Sequence, residues 1–421
     1  MTEDADGTLV TPAPGGASGA WIWRAFSPLG HRNFRLLWSG MLISQTGSWM
    51  QFIALGYLVD QLTKAPIYLG LLGVSQALPR LLFAFIGGVV ADRLDRRRVL
   101  QVTNLLMMAS AWVLWFLAHT GRIDVWHVLA ISAFNSFTQS FDVPARQSLV
   151  PSLVPEAEWM KSFSLFSMAF NGSGIFGPSI GGVVIAAVGV AGCFFVNALS
   201  YTATLVALLR MDLPPHAADA RESLRDDIRE GLGLLVHNRH LLALLAIVAI
   251  TSFFGRPYVR LMPAYAREVL GVGPTGLGVL QAAPSVGTIL AVFVVGAIAG
   301  TARKGPLLLG ATRVTGVVVA LFGASHWFGV SAGLLVLAGI SHAVSQATAN
   351  TLLQASVQPD QRGRMMGLYS MTTFGMFALG TLPLGALAGV IGVGPALTIG
   401  GVAVVLAVTA LRFLAPGLAK L

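Results

Sequence analysis

The amino-acid sequence predicts an all-α integral membrane protein, with twelve transmembrane helices arranged as two pseudo-symmetric six-helix bundles. Three observations carry that expectation. Of 421 residues, 55% are hydrophobic and 11% charged, with a mean hydropathy of +0.74; soluble chains carry about a quarter charged residues. Apolar runs of about 20 residues, one bilayer crossing each, recur along the whole chain. The two halves also match each other at nearly one offset. A shift of 208 lays Leu69-Gly70 on Leu277-Gly278 and Gly88 on Gly296, and a shift of 204 lays Pro155 on Pro359, Phe170 on Phe374 and Gly181 on Gly385.

Continuous apolar runs of this length form helices, because barrel strands are shorter and alternate. Residues 1–33 read as a cytoplasmic tail, with Glu3, Asp4 and Asp6 early and no cleavable apolar segment before the first span. The first span, 34–59, carries Ser44, Ser48 and Gln51 on one helical face, with Gln45 beside them. The second, 67–91, holds Gln76 and Arg80 deep in its length and runs into GGVVADRLDRRRVL (87–100). The third, 97–119, starts on those arginines. The fourth, 125–147, carries Asn135, Gln139, Asp142 and Arg146 at steps of 4, 3 and 4. The fifth, 161–187, contains NGSGIFGPSIGG, whose glycines and proline permit close packing and bending. The sixth, 192–210, closes the first bundle, 34–210.

The longest polar stretch, 211–240, begins with Pro214-Pro215 and continues in a charged pattern suited to a short amphipathic helix; it reads as a cytoplasmic linker. The second bundle, 241–414, repeats the scheme. Its first span, 241–266, has Arg256, Tyr258 and Arg260 in its outer half. Spans 276–300 and 306–328 follow. The next, 331–355, carries His342, Gln346, Asn350 and Gln354 at every fourth position. Spans 365–391 and 394–414 lead to a short tail, 415–421.

The formal charge of +9 does not point to nucleic acid. With the N-terminus inside, 21 of the 27 basic residues fall on the cytoplasmic side and five on the outer side, with Arg80 inside a span. That asymmetry is the positive-inside rule; it places both termini in the cytoplasm and the chain in the inner (cytoplasmic) membrane. One cysteine, Cys193, excludes an internal disulfide and a cysteine-rich metal site. No metal or cofactor is expected, and no H-E-x-x-H, nucleophile elbow, paired catalytic acids or P-loop suggests an enzyme or an ATP-driven pump.

The stretch 87–100 sets two acids, Asp92 and Asp95, among four arginines. A basic run after an apolar span is an ordinary stop-transfer signal, but Asp92 ends a helix where a negative charge opposes the dipole. Its partner is either Arg96, one turn on, or the N-terminus of another helix starting on that face. Gly88, one turn before, lets a neighbouring helix approach. The pattern G-x-x-x-D-R-x-x-R-R, supplied by Gly88, Asp92, Arg93, Arg96 and Arg97, resembles the A motif of the major facilitator superfamily. FRLLWSGMLISQTGSWMQ, ADRLDRRRVL, FDVPARQSLVPSLVP and RGRMMGLYS resemble one branch of it, the enterobactin-type exporters and macrolide-efflux proteins. The resemblance covers nearly all of residues 30–415, with Asp95 standing where family members usually have Gly.

The resemblance implies the major facilitator fold and a cytoplasmic gate in which Asp92 pairs with the start of the eleventh helix. It also implies that Asp142 completes a cluster with Arg96, and that helices one, four, seven and ten line the cavity. The residues agree in part: a shift of 204 lays Thr138, Asp142 and Arg146 on His342, Gln346 and Asn350, so the polar faces of helices four and ten correspond.

Candidates for the substrate cavity are therefore Gln45, Ser48, Trp49, Gln51, Arg80, Asn135, Gln139, Arg146, Arg256, Tyr258, Arg260, Gln346 and Asn350. Each has a plainer alternative. Amides and hydroxyls also bond helix to helix, and tryptophans, Trp38 among them, also pack or anchor. Arg80 either snorkels to an interface or faces the cavity, where it contacts an anionic group or stabilises an acid; the pair in the seventh span either binds an acidic or catecholic substrate or anchors at headgroups. Asp142 and His342 are the candidates for proton coupling, His342 because its ordinary pKa lies near 6.5; a hydrogen-bonded structural role is its alternative. The expectation is a proton-coupled exporter of siderophore-like or drug-like molecules, monomeric in the bilayer. A transporter-fold sensor, an importer and a uniporter are the alternatives.

Overall fold

The computed structural model describes residues 25–211, 239–298, 303–358, 361–414 and 417, excepting the side chains of Ala84, Phe85, Val89, Ala91, Asp92 and Arg239. The predicted linker, its ends apart, lies outside them. The described residues are helical, without strands. The first four long helices are α1 (Arg32–Thr63), α2 (Pro66–Arg93), α3 (Arg96–His119) and α4 (Val125–Leu149). The stretch Trp159–Arg210 breaks at Gly189, whose φ of 77° suits a residue without a Cβ, into α5 (159–188) and α6 (190–210). Helix α7 comprises Arg239–Ile250, a π turn at Thr251–Gly255, and Tyr258–Glu268. Then come α8 (Pro274–Ile298), α9 (Lys304–Ala324), α10 (Phe328–Ala355), α11 (Arg362–Ile391) and α12 (Val393–Leu414).

Local chemistry sets the breaks. Pro66 opens α2, where its missing N–H costs nothing. Asp95 caps α3 by accepting the backbone N–H of Arg97 at 2.9 Å, which gives the acid at this position a role of its own. Gly392, at φ 91°, reverses the chain between α11 and α12. Nine stretches of the described residues are long and apolar enough to cross a bilayer; Glu156–Arg210 is one of them and supplies both α5 and α6. Helices α1 and α4, which carry polar stripes, fall outside that set. Side chains such as Phe176, Val292 and Phe293 are 61%, 68% and 75% exposed. In water such a surface would aggregate; acyl chains solvate it.

The packing repeats. Helix α2 lies against α4, α3 against α4 and α6; six helices later, α8 lies against α10, α9 against α10 and α12. The halves meet through α2 with α11 and α5 with α8, contacts that exchange under the same pseudo-symmetry. The crossings match residue by residue. A Cβ on Gly385 would lie 2.9 Å from the Pro66 carbonyl and 3.4 Å from Gly70 Cα; one on Gly182 would lie 2.6 Å from the Pro274 carbonyl and 3.0 Å from Gly278 Cα. Only glycine lets the backbones come this close.

One membrane face gathers the ends of α2, α4 and α6 and the starts of α3, α5 and α11; we call it the basic face, and the other the far face. Toward the far face one buried core spans both halves, joining Ile53, Leu58 and Leu72 to Leu261, Tyr265 and Leu280. Toward the basic face there are two cores. Phe34, Leu100, Leu149 and Leu208 form one, and Leu244, Leu309, Leu353 and Met365 the other. Among the described residues the buried core is shared by the halves at the far face and divided toward the basic one.

Candidate functional site: an arginine cluster between the halves

Midway along α2, about 21 Å from its start, the Arg80 guanidinium donates to the Gln139 amide oxygen of α4 and stands 5.7 Å from the ring centre of Phe374 on α11. From α7, Arg260 donates to the Gln76 amide oxygen, one turn before Arg80, and lies over the Phe52 ring at 4.4 Å. Arg256 lies 5.4 Å from the Phe377 ring, which Arg260 also faces at 6.0 Å. Arg80 and Arg256 are both within electrostatic reach of Arg260. Arg80 and Arg260 thus each reach a partner in the opposite half, whereas Arg256 meets Phe377 within its own. The π turn and Pro257 interrupt α7 beside Arg256, a local break of the kind that recurs at working sites.

No carboxylate among the described residues pairs with any of the three. The described buried acids within the helices are engaged elsewhere. Asp142 accepts from Arg146 at 2.6 and 3.1 Å, and from Thr103 and Asn104 at 2.9 Å each. Asp60, 2% exposed, holds Arg267 through two bonds of 2.7 and 2.9 Å, and Arg267 also reaches Glu268 at 2.9 Å. A charge at the bilayer centre costs about 2.5–3.5 kcal/mol on insertion scales. Cation–π contacts return about 0.5–2 kcal/mol each, so three unpaired guanidiniums remain a standing electrostatic demand.

The sequence profile of the transmembrane secretion effector family matches residues 23–417. The chain belongs to that family. It is therefore a multi-pass membrane transporter of the major facilitator superfamily and not an enzyme. Macrolide efflux protein A of Streptococcus pyogenes is 21% identical over 80% of this chain and 84% of that protein. The enterobactin exporter EntS of Shigella boydii is 24% identical over 85% of each. Among solved structures, a bacterial homologue of the human lysosomal transporter Spinster superposes with a TM-score of 0.74 at 14% identity, covering 96% of this chain and 98% of that one.

The structure sorts the predicted residues of this transporter. Arg80, Gln139, Arg256 and Arg260 come together as above. Gln45 and Trp49 share a face of α1 with Phe52, whose ring meets Trp49 at 5.4 Å. Gln51 and Ser48 turn the other way: Gln51 accepts from Asn197 at 2.7 Å and Ser48 meets Tyr201 at 3.2 Å, both on α6. Asn135 accepts from Ser110 of α3 at 2.6 Å, and Tyr258 is buried edge-on against Phe322 of α9. These four bond or pack within one half; Tyr258 alone among them lies within electrostatic reach of the cluster, at Arg256. Gln346 accepts from Tyr369 of α11 at 2.5 Å, and Asn350 donates to the Met366 sulfur. His342 touches Gln346 at 3.4 Å, has no acceptor for its buried Nδ1, and lies within electrostatic reach of Arg256.

At the basic face the expected cluster is arranged differently. Arg96 donates to the Ser148 carbonyl at 2.8 Å, at the end of α4, and Asp142 takes Arg146 instead. Arg146 sits one turn along the same helix, so it reaches the carboxylate without crossing between helices. Arg97 donates to the Leu209 carbonyl at 3.0 Å, at the end of α6. Both arginines thus satisfy carbonyls that a helix leaves unpaired at its C-terminus. A Cβ on Gly88 would meet nothing within 4 Å; Gly87 is the glycine pressed against α4, at the Ser140 carbonyl. Arg93 is exposed, and the Asp92 side chain lies outside the described residues.

Sequence reasoning passed over the Asp60–Arg267 bridge and the aromatic faces of Phe52, Phe374 and Phe377. One signal was present: a shift of 208 lays Asp60 on Glu268, placing an acid at the same point of each repeat.

Proposed function

We propose that this transporter exports small organic molecules across the cytoplasmic membrane by alternating access, driven by protons, with the basic face in the cytoplasm and the monomer as working unit. The observation that carries the reading is the arginine cluster set between two pseudo-symmetric halves that are fused on one side of it and parted on the other. The halves, 34–210 and 241–414, rock about this site, which is then open to the cytoplasm in the present state. Export from relatives named for macrolides and enterobactin supports the direction. In the opposite state Asp92 and the start of α11 close the cytoplasmic side.

The proton acts on a carboxylate whose partner changes as the halves rock. Asp142 keeps its partners within one half. Asp60 bonds Arg267 across the halves, with Tyr57 in electrostatic reach and Glu268 sharing the same arginine. His342 meets Gln346 on its own helix. Asp60 is accordingly the preferred coupling group. Flux from proteoliposomes with an imposed pH gradient, using a macrolide and a catecholate siderophore as probes, tests the reading. Movement that follows the gradient supports it; movement indifferent to the gradient makes the protein a uniporter or one coupled to another ion.

A further inference from the structure

The arginine cluster carries an inference about what is moved, and it rests on the transporter reading above. Buried cations in proteins are paired with acids, neutralised, or held for a ligand. Here the pairing is missing. Asp60 and Asp142, the buried acids among the described residues, each hold another arginine. Arg256 has no hydrogen-bond acceptor among the described residues, and the Nε of Arg260, a residue 9% exposed, has none either. The amides of Gln139 and Gln76 take one donor each from Arg80 and Arg260, out of the five that a guanidinium offers. Arg80 and Arg256 remain partly exposed between the halves.

We propose that Arg80, Arg256 and Arg260 form a receptor for a small organic anion of two or three negative charges, carboxylate or phosphate, on an aromatic or apolar body. The planar guanidinium matches both oxyanions through paired donors. The rings of Phe52, Phe374 and Phe377 supply flat apolar walls for the body. An amine-bearing drug meets the same three charges as repulsion. Because Arg80 belongs to one half and Arg256 and Arg260 to the other, the anion also bridges the moving parts and replaces a counter-ion that the protein does not provide.

Equilibrium binding to the purified full chain in nanodiscs tests this, with four probes of similar size: phthalate, phenyl phosphate, benzoate and benzyltrimethylammonium. The proposal expects the two dianions to bind at least about ten-fold more tightly than benzoate and the cation, the worth of one charge-assisted hydrogen bond. Phthalate ahead of phenyl phosphate assigns a carboxylate substrate, and the reverse order a phosphate ester. Arg80→Gln and Arg260→Gln should each weaken dianion binding by about ten-fold or more, while Arg98→Gln, on the exposed basic rim, leaves it unchanged. Equal binding of dianion and cation by the unaltered protein overturns the proposal, whether or not the variants fold. So does dianion binding indifferent to both substitutions. Binding is read without flux: selective anion binding without gradient-driven transport ends the proton-driven reading alone, and gradient-driven transport of the cation ends this one alone.

Discussion

The two ends of the molecule use the same chemistry to opposite purpose. At the far face a buried carboxylate, Asp60 on α1, holds Arg267 on α7, and the pair ties one half to the other. At the basic end a buried carboxylate, Asp142, holds Arg146 on its own helix, and its other donors, Thr103 and Asn104, belong to the same half. One bridge is a latch and the other a rivet. The cores agree: a single apolar body spans both halves at the far face, and two separate bodies lie toward the basic face. An acid–arginine pair therefore says little about gating until the helices it joins are known.

Substitutions separate these roles. The largest effect is expected from Asp142→Asn, which leaves Arg146 buried without its acid; breaking a buried pair costs about 3–5 kcal/mol. The loss should appear as a lower unfolding temperature, with the access of the far face unaltered. Asp60→Asn should do the reverse. Losing the charge-assisted bonds to the half-exposed Arg267 costs about 1.5–3 kcal/mol, and it should surface as cysteine reagents reaching the far side of the site, with folding retained. If both variants lose only stability, the contrast between latch and rivet is wrong.

Gly278→Ala sharpens the comparison from the backbone. Its Cβ would lie 2.6 Å from the Pro178 carbonyl where α5 crosses α8, so overpacking of about 1–3 kcal/mol should loosen the far face. Gly88→Ala, with nothing within 4 Å, should leave unfolding and access unchanged. Apart from that null, the smallest effect belongs to Arg96→Gln. It removes a side-chain cap from α4 worth about 0.5–1 kcal/mol, measurable as a small drop in unfolding temperature in nanodiscs.

The sequence made the helices legible because lipid leaves a spanning backbone few choices. It did not reveal the π turn in α7, since Thr251–Gly255 lies in an unbroken apolar run. Polar stripes were visible as stripes, but not their heading. On α1, Gln45 and Trp49 share the face of Phe52, which meets Arg260, while Ser48 and Gln51 point to α6. Residues one step apart differ by about 100° around a helix, and only packing decides which side is the interior. Arg80 and Arg260 stood out because isolated charges in apolar runs are costly. Asp60 and Arg267 lie 207 residues apart, and nothing local announces that they meet. The motif arginines were legible as a basic run; that Arg96 and Arg97 close the ends of α4 and α6 follows only from the fold.

The central claim is that the halves are locked together at the far face by the Asp60–Arg267 bridge and parted at the basic face. Spin-label distances in nanodiscs test it most directly, with one pair at Leu62 and Gly273 on the far face and another at Arg98 and Arg362 on the basic face. The account predicts a single short far-face distance and a long basic-face one, with Asp60→Asn lengthening the first and shortening the second. A short basic-face distance beside a long far-face one, or distances untouched by Asp60→Asn, would contradict it.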